Sequence, residues 1–215
     1  MQVLAVPVKS LERTKSRLAK VLSLPERATL TLAMAEDVLD ACTAQPSWET
    51  WVISRDEAVL EVAARHGARL IPEAGRSLNE AVRQVESLVT GRTSTLAVVL
   101  ADLPLLTPTA LAIALASDAR VTAAPAASDG GTNLLVRRPP SAIPPRFGPA
   151  SLARHRSAAR RARVSFHEAR SAELAFDLDR PEDLMRALAE NRPGRTLTAC
   201  RELGLPDRLQ SRSER

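Results

Sequence analysis

The sequence has few aromatic residues and few cysteines, and both shortages exclude classes of protein. Only 2% of its 215 residues are aromatic and none is tyrosine, so the chain lacks the stacking surface that binds single-stranded nucleic acids. Its two cysteines form no C-x-x-C pair, which argues against a zinc site and a disulfide framework. No run of about eighteen apolar residues occurs, so no transmembrane helix is expected. We predict a protein without a membrane partner.

The motifs of several common enzyme classes are also missing. The chain has no P-loop, no G-x-G-x-x-G after its first apolar run, no G-x-S-x-G and no H-E-x-x-H, which argues against P-loop, Rossmann, hydrolase and zinc-protease chemistry. His66, His155 and His167 lack metal-ligand spacing, and we expect each of them at the surface or at a helix end. The N-terminus does not resemble a signal peptide, so a cytoplasmic location is expected.

The chain is basic, with a net charge of +5 and a pI near 10.2. A basic protein attracts anions, and nucleic acid is the first anion to consider. No helix-turn-helix, zinc finger or basic zipper is visible, so we predict no nucleic-acid partner. Small anionic substrates account for the charge equally well. If the protein is not an enzyme, the alternative is a basic module that binds nucleic acid or has a regulatory role.

Apolar runs alternate with helical patterns, which predicts an α/β fold with a mainly parallel sheet. The predicted strands cover residues 3–8, 48–54, 68–71, 95–101, 120–124, 133–136 and 174–179. Capping boxes that begin at Ser23, Ser54 and Ser77 predict helix starts, and another helix is expected from about Pro149 to Arg161. We predict one domain over residues 1–190 and a basic, flexible tail over residues 191–215.

Polar side chains lie at the ends of three of the predicted strands, where α/β sheets bind ligands. Lys9, Arg13, Lys15 and Arg17 follow the first strand and could cradle a triphosphate. Asp102 ends the most apolar strand, which suits a Mg²⁺ ligand or a strand-end cap. Asp177 and Asp179 alternate on the predicted last strand, so they face one side and would share a cation. The alternative for Asp179 is an interaction with the following helix N-terminus.

Five segments occur in a specific order: VPVKSLERTKSRLA, ADLPLLTP, SDGGTNLLV, FGPASLARH and FDLDRPEDL. Together they closely resemble the guanylyltransferases of coenzyme F420 biosynthesis, over roughly Val3 to Leu184. That family attaches GMP to 2-phospholactate, phosphoenolpyruvate or 3-phosphoglycerate. The resemblance implies a single-domain, GT-A-like (Rossmann-like) nucleotidyltransferase fold. It also implies Mg²⁺ as cofactor, and GTP and a small phosphorylated carboxylic acid as substrates.

The resemblance also implies roles for individual residues. The implied metal ligands are Asp102 and one of Asp177 or Asp179. The residues implied to bind the phosphorylated acid are Thr132, Gly148 and Ser151. The residues implied to bind the nucleotide are Pro7, Val8, Lys9 and Lys15, with Asn79 near the base. The catalytic residues are then Lys15, Arg17 and Asp102, acting by charge neutralisation and positioning.

The segment FGPAS departs from the family's usual FGPGS. Ala150 lacks the freedom of glycine at positive φ, which puts the local backbone and the choice of acid in question. Read from the residues alone, Pro149 suits a first helical position. The amides of Gly148 to Ser151 would then be free to bind an anion.

The sequence does not identify the acid. An Arg- and Ala-rich composition is associated with bacteria, and by that association we favour phosphoenolpyruvate. Another Mg²⁺-dependent nucleotidyltransferase, of the molybdenum-cofactor or sugar-phosphate type, is the alternative within the class. The oligomeric state also stays open, with a homodimer as one option.

Overall fold

Seven strands form one sheet in the computed structural model, which describes residues 1–190 and 192–213. The strands are β1 (Gln2–Pro7), β2 (Glu49–Ser54), β3 (Arg69–Pro72), β4 (Thr95–Val99), β5 (Val121–Pro125), β6 (Thr132–Arg137) and β7 (Phe166–Glu168). The helices are α1 (Leu24–Thr43), α2 (Glu57–Arg65), α3 (Leu78–Val89), α4 (Pro108–Leu115), α5 (Ser151–Ala162), α6 (Ala172–Ala175), α7 (Pro181–Ala189), α8 (Arg195–Glu202) and α9 (Leu205–Ser213). Short 3₁₀ turns lie at Leu11–Arg13, Ser16–Lys20 and Pro140–Ala142.

The strand order is β3-β2-β1-β4-β6-β5-β7, and β6 alone runs antiparallel to its neighbours in this sheet. A short connection containing Gly130 and Gly131 joins β5 to β6, and such a connection reverses the chain. The N-terminal end of β6 therefore lies at the same edge as the carboxyl ends of β1 and β4. The prediction of an α/β fold with a mainly parallel sheet is confirmed.

Apolar side chains cover both faces of the sheet. Along β1, Val3 and Ala5 pack with residues of α3 and α5, and Leu4 and Val6 pack on the opposite face with residues of α1 and α2. This alternation follows from the two-residue period of a strand. Burial on both faces explains why β1 and β4 read as continuous apolar runs.

Serine caps predict two of the helix starts correctly. The Ser23 hydroxyl accepts from the Glu26 amide and the Ser77 hydroxyl accepts from the Glu80 amide. The capping box predicted at Ser54 is wrong, because Ser54 is still part of β2 and Asp56 caps α2 instead. The Ser54 hydroxyl accepts a hydrogen bond from the Asp56 amide, which fixes the turn into that helix.

The prediction of a flexible tail is wrong for residues 195–209. Helices α8 and α9 fold against α1, with Leu197, Cys200 and Leu205 buried. The Asp37 carboxylate of α1 accepts the amides of Arg195 and Thr196 at 2.8 and 2.9 Å and so caps α8. The cap lies 159 residues before Thr196, which is why no local sequence signal marks this helix. Among the described helices, none has the length and apolar character needed to cross a bilayer.

The strand predicted over residues 174–179 is also wrong. Residues 172–175 form the short helix α6, and the chain then runs extended to residue 179 without joining the sheet. One backbone bond, from the Leu178 amide to the Asp102 carbonyl at 3.0 Å, attaches it beside β4. Leu178 is fully buried, whereas its neighbours Asp177 and Asp179 are partly exposed, which agrees with the predicted alternation.

Candidate active site

Lys15 lies between two carboxylates at the carboxyl edge of the sheet. Its Nζ donates to Asp102 Oδ2 at 2.8 Å and to Asp179 Oδ1 at 2.6 Å. The Lys15 side chain is only 7% exposed, against 27% for Asp102 and 34% for Asp179. Burial disfavours the charged ammonium, but the two carboxylates outweigh it and raise the pKa of Lys15. Lys15 is therefore a charged group at neutral pH, placed where three chain segments meet.

The backbone at Lys15 is itself unusual. Lys15 has φ 46° and ψ 45°, in the left-handed region that residues with a Cβ rarely adopt. It begins the 3₁₀ turn Ser16–Lys20, whose Leu18 is anchored in the core. A left-handed non-glycine residue costs about 1–2 kcal/mol. Such strain is typical of functional sites, where the surrounding structure holds it in place.

Asp177 lies close to the same group. Its Oδ2 accepts from the Ser128 hydroxyl at 2.8 Å. Burial, and then the charges of Asp102 and Asp179, raise the pKa of the Asp177 carboxyl. Burial also disfavours ionised Asp179, but Lys15, Arg17 and Lys9 outweigh it and lower its pKa. Asp102 and Asp179 thus bond one buried ammonium, and Asp177 lies close enough for their charges to affect it.

Two carboxylate oxygens in this group fit a divalent cation. Asp102 Oδ1 and Asp177 Oδ1 are buried and have no hydrogen-bond partner. Buried ionised oxygens need a partner, and carboxylate oxygens are the ligands that Mg²⁺ prefers. Within residues 1–190 and 192–213, no three histidine, cysteine or acidic side chains are already gathered as a metal site. The Lys15 ammonium lies where two of the predicted ligands would otherwise meet.

The other predicted nucleotide residues surround this centre. Arg17 Nη1 donates to Asp179 Oδ2 at 3.3 Å from an exposed position. Lys9 is exposed, and its charge reaches Asp179. Pro7 ends β1, and the Val8 amide continues the pairing with β2 through the Ile53 carbonyl at 2.9 Å. The structure brings this basic loop to the carboxylates, as the sequence predicts.

The predicted acid-binding residues form a second group. Thr132 begins β6, and the register of β6 against β4 places it next to the chain that leads into Asp102. The Ser151 hydroxyl, at the start of α5, donates to Thr132 Oγ1 at 2.9 Å. Gly148 has φ +121°, and a Cβ there would lie 3.3 Å from an Arg154 nitrogen. Since neighbouring strands are about 4.8 Å apart, the two groups lie side by side.

The start of α5 does not have the free amides predicted from the sequence. The amides of Ala150, Ser151 and Leu152 donate to the carbonyls of Asp129, Gly148 and Gly130. The prediction of a backbone anion site is therefore wrong for the amides of Ala150 and Ser151, because the turn before β6 bonds the first and the Gly148 carbonyl bonds the second. Pro149 also lies before the helix, not at its first position.

Ala150 adopts the strained conformation that its position requires. It has φ 54° and ψ 27° at the N-cap of α5, where glycine would be unstrained. We expect Ala150→Gly to raise the free energy of unfolding by about 0.5–1 kcal/mol, because relief of strain exceeds the added chain entropy. Urea titration measures it. Ala112→Gly, at an exposed position inside α4, is the matched control and should lower stability by about 1 kcal/mol. A loss of stability in Ala150→Gly would contradict the expectation.

Asn79 contacts the loop before α5. Its Nδ2 donates to the Phe147 carbonyl at 3.1 Å, and its Oδ1 accepts from the Phe147 amide at 2.8 Å. These bonds join α3 to the segment that carries Gly148. A base contact for Asn79 stays a prediction, and in this structure its amide group is used to hold that segment.

Sequence reasoning missed two residues that support the site. His155 is fully buried and bonds Thr132, so its predicted surface or helix-end position is wrong. The spacing of four residues from Ser151, which puts both on one helix face, is the signal that was available. Ser128 bonds Asp177 across 49 residues, and no sequence signal pairs them. His167 is exposed and His66 caps α2 at its C-terminus, as predicted.

Comparisons with known proteins agree with this arrangement. Residues 1–213 match the family described as guanylyl transferase CofC like. The chain belongs to this family. A phosphoenolpyruvate guanylyltransferase of Sphaerobacter thermophilus is 41% identical over 187 residues, 85% of this chain and 90% of that relative. A 2-phospho-L-lactate guanylyltransferase of Haloarcula marismortui is 39% identical over 186 residues, 86% of this chain and 84% of that relative.

A solved structure agrees with the fold of this CofC-like guanylyl transferase. A protein described as a nucleotide-diphospho-sugar transferase of Desulfovibrio desulfuricans G20 superposes with a TM-score of 0.79 over 98% of both chains. Its sequence is 18% identical, so this likeness shows the fold alone. The predicted nucleotidyltransferase fold, enzyme class and family are confirmed. The roles of single residues stay predictions.

Proposed function

We propose that this guanylyl transferase transfers GMP from GTP to phosphoenolpyruvate or 2-phospho-L-lactate, releasing pyrophosphate in a step of coenzyme F420 biosynthesis. The observation that carries the proposal is the Lys15 ammonium between Asp102 and Asp179, beside two carboxylate oxygens without partners. Positive charge and hard oxygen ligands together suit a metal-bound triphosphate. The family membership supplies guanylyl transfer as the reaction class.

The chemistry needs positioning more than proton transfer. A phosphate oxygen of the acid attacks the α-phosphorus of GTP, and the bond from that phosphorus to the leaving pyrophosphate breaks. A phosphate monoester has a second pKa of about 6. The attacking phosphate oxygen is therefore already ionised at neutral pH, and no general base is needed. Lys15 and Arg17 neutralise the charge that develops on the transferred and leaving groups.

We propose Mg²⁺ as the cofactor, held by Asp102 and by Asp177 or Asp179. When bound, Mg²⁺ supplies charge neutralisation at the phosphates. The unpartnered oxygens of Asp102 and Asp177 support this choice of ligands. If Asp102 and Asp179 held the metal, the Lys15 ammonium would be available to the phosphate oxygens. Asp102, with Asp177 or Asp179, would then hold the metal, and Lys15 would bind the nucleotide.

The acid is proposed to bind at Thr132, Gly148 and Ser151. Two adjacent hydroxyl groups suit phosphate or carboxylate oxygens, and Gly148 leaves room between the backbone and Arg154. The names of the two relatives described above contain different acids, and their sequences are nearly equally similar to this chain. Sequence similarity therefore does not identify the acid. We further propose that the reaction takes place in the cytoplasm without nucleic acid.

Pyrophosphate release tests the proposed function. We expect release only when GTP, Mg²⁺ and one of phosphoenolpyruvate, 2-phospho-L-lactate or 3-phospho-D-glycerate are present together. GTP should exceed ATP, CTP and UTP in kcat/KM by at least about tenfold, which is about 1.4 kcal/mol. Reactions without acid are the control. Equal rates with all four nucleotides, or release without an acid, would contradict the proposal and favour another nucleotidyltransferase activity.

A further inference from the structure

His155 lies at the inner end of a buried chain of polar groups. Its Nδ1 is 3.1 Å from Thr132 Oγ1, and its Nε2 accepts a hydrogen bond from the Arg146 amide at 3.0 Å. The ring packs edge-on against Phe147, with centroids 5.4 Å apart. His155 is fully buried, and both ring nitrogens have a partner. Such a ring is fixed in orientation.

The partners of His155 determine its protonation. A backbone amide can only donate, so Nε2 must be the acceptor. Burial, and then the charges of Arg137, Arg154 and Arg146, lower the pKa of His155 to about 4. The ring is therefore neutral at physiological pH, and its one hydrogen is on Nδ1. That hydrogen is donated to Thr132 Oγ1.

The hydroxyl groups of Thr132 and Ser151 then carry two hydrogens, and only one of them has an acceptor within this group. Thr132 Oγ1 accepts from His155 and also from the Ser151 hydroxyl, 2.9 Å away. Both of its lone pairs are occupied, so the Thr132 hydrogen must point to a third acceptor. Across residues 1–190 and 192–213, no hydrogen bond from this hydroxyl to such an acceptor is found. If Thr132 donates to Ser151 instead, the surplus hydrogen moves to Ser151 and the count is the same.

A buried donor without an acceptor is unfavourable and requires an explanation. We propose that His155 is a positioning residue, which orients the Thr132–Ser151 pair so that it presents one O–H donor to an oxygen of the phosphorylated acid. This inference rests on the proposed function, because it assigns that acid to Thr132 and Ser151. If residue 155 offered no donor in place of Nδ1–H, the Thr132 hydroxyl would be free to rotate, and its hydrogen would no longer be fixed toward the acid.

Two substitutions of His155 separate its two contacts. Asparagine places an N–H near the position of Nδ1, and glutamine places an oxygen near the position of Nε2. We expect His155→Asn to keep the dissociation constant for phosphoenolpyruvate within about threefold, and His155→Gln to raise it by about tenfold, 1.4 kcal/mol. Isothermal titration measures both. Each variant loses one buried bond, so their melting temperatures should fall similarly, and their KM for GTP should stay within about twofold.

Nitrogen NMR of the wild type tests the tautomer without any variant. The chain has only three histidines, and we expect His155 to remain neutral from about pH 5 to 8, with its hydrogen on Nδ1. A hydrogen on Nε2 would overturn the inference. So would equal weakening of acid binding in both variants, which would show a merely structural role.

Acid binding and turnover together distinguish the two proposals. A wild type that binds the acid but releases no pyrophosphate would refute the proposed function, and the inference would then be judged on the two binding constants. A wild type that turns over, with both variants binding alike, would refute the inference alone. A wild type that binds none of the three acids would refute both.

Discussion

Replacing Asp102 with asparagine is expected to lower kcat by at least about 100-fold and to leave the fold intact. The size of this decrease follows from the loss of about 10²–10³ in kcat that is typical when one charge-stabilising group is removed from an active site. Asparagine keeps the shape of the side chain, and one of its polar atoms can still face Lys15. It removes the negative charge that a divalent cation requires. The rate is measured as pyrophosphate release at saturating Mg²⁺, GTP and acid.

The stability of Asp102→Asn should change by less than about 1 kcal/mol. Lys15 keeps its bond to Asp179, and Asp177 loses the repulsion from Asp102 that adds to burial in raising its pKa. Glu168→Gln is the matched control. Glu168 also ends a strand at this edge of the sheet, and it forms ion pairs with Arg156 and Arg170. It should retain wild-type kcat. Near wild-type kcat in Asp102→Asn would make Asp102 a structural strand-end residue.

The position of Asp102 could be predicted because one local pattern determines it. Residues 95–101 form a continuous apolar run, which marks a central strand, and the next residue is charged. The position of the basic loop after β1 could be predicted in the same way, because that loop also follows an apolar run. The carboxyl ends of neighbouring parallel strands meet at one edge, so Lys15 and Asp102 come together although 87 residues separate them. Here, local pattern and topology are enough.

Other parts of the site depend on contacts that no local pattern records. Asp177 and Asp179 were placed correctly on one side, but the segment is held by a single backbone bond and not by a ladder of them. The Asn79 bonds to Phe147 span 68 residues. The cap of α8 comes from Asp37 on another helix. Composition misled the prediction there, because arginines surround the buried Leu197.

The burial of His155 had a local signal in the sequence. Its neighbours Arg154 and Arg156 are exposed, and a histidine between arginines resembles a solvated one. Its spacing from Ser151 predicts the buried face instead. The fold of β6 completes the argument, since only an antiparallel strand brings Thr132 to the same edge. The short glycine-containing connection between residues 124 and 133 was the sequence signal for that reversal.

Replacing Lys15 with methionine is expected to lower kcat by about 100-fold or more, because a charge-stabilising group at the reacting phosphates is lost. Methionine has a similar length and removes only the charge and the hydrogen bonds.

Without metal, the Lys15→Met variant should also be less stable by about 1–3 kcal/mol, since Asp102, Asp177 and Asp179 then repel one another without a cation. Lys15→Arg keeps the charge and should retain more of this stability. Lys20→Met, at an exposed position of the same 3₁₀ turn, is the control for the substitution itself.

The decisive measurement is the effect of Mg²⁺ on the melting temperature of the Lys15 variants. In the wild type, a cation that binds both Asp102 and Asp179 competes with the Lys15 ammonium, which already bonds one oxygen of each carboxylate. In Lys15→Met nothing competes, so Mg²⁺ should stabilise the variant more than the wild type. An additional 1 kcal/mol corresponds to about 2–4 °C for a chain of this size. A larger shift in Lys15→Met than in wild type and Lys20→Met, together with lost turnover, is the expected result. If Mg²⁺ raises all melting temperatures equally, the cation does not compete with Lys15, which rules out Asp179 as its second ligand and leaves the unpartnered oxygens of Asp102 and Asp177.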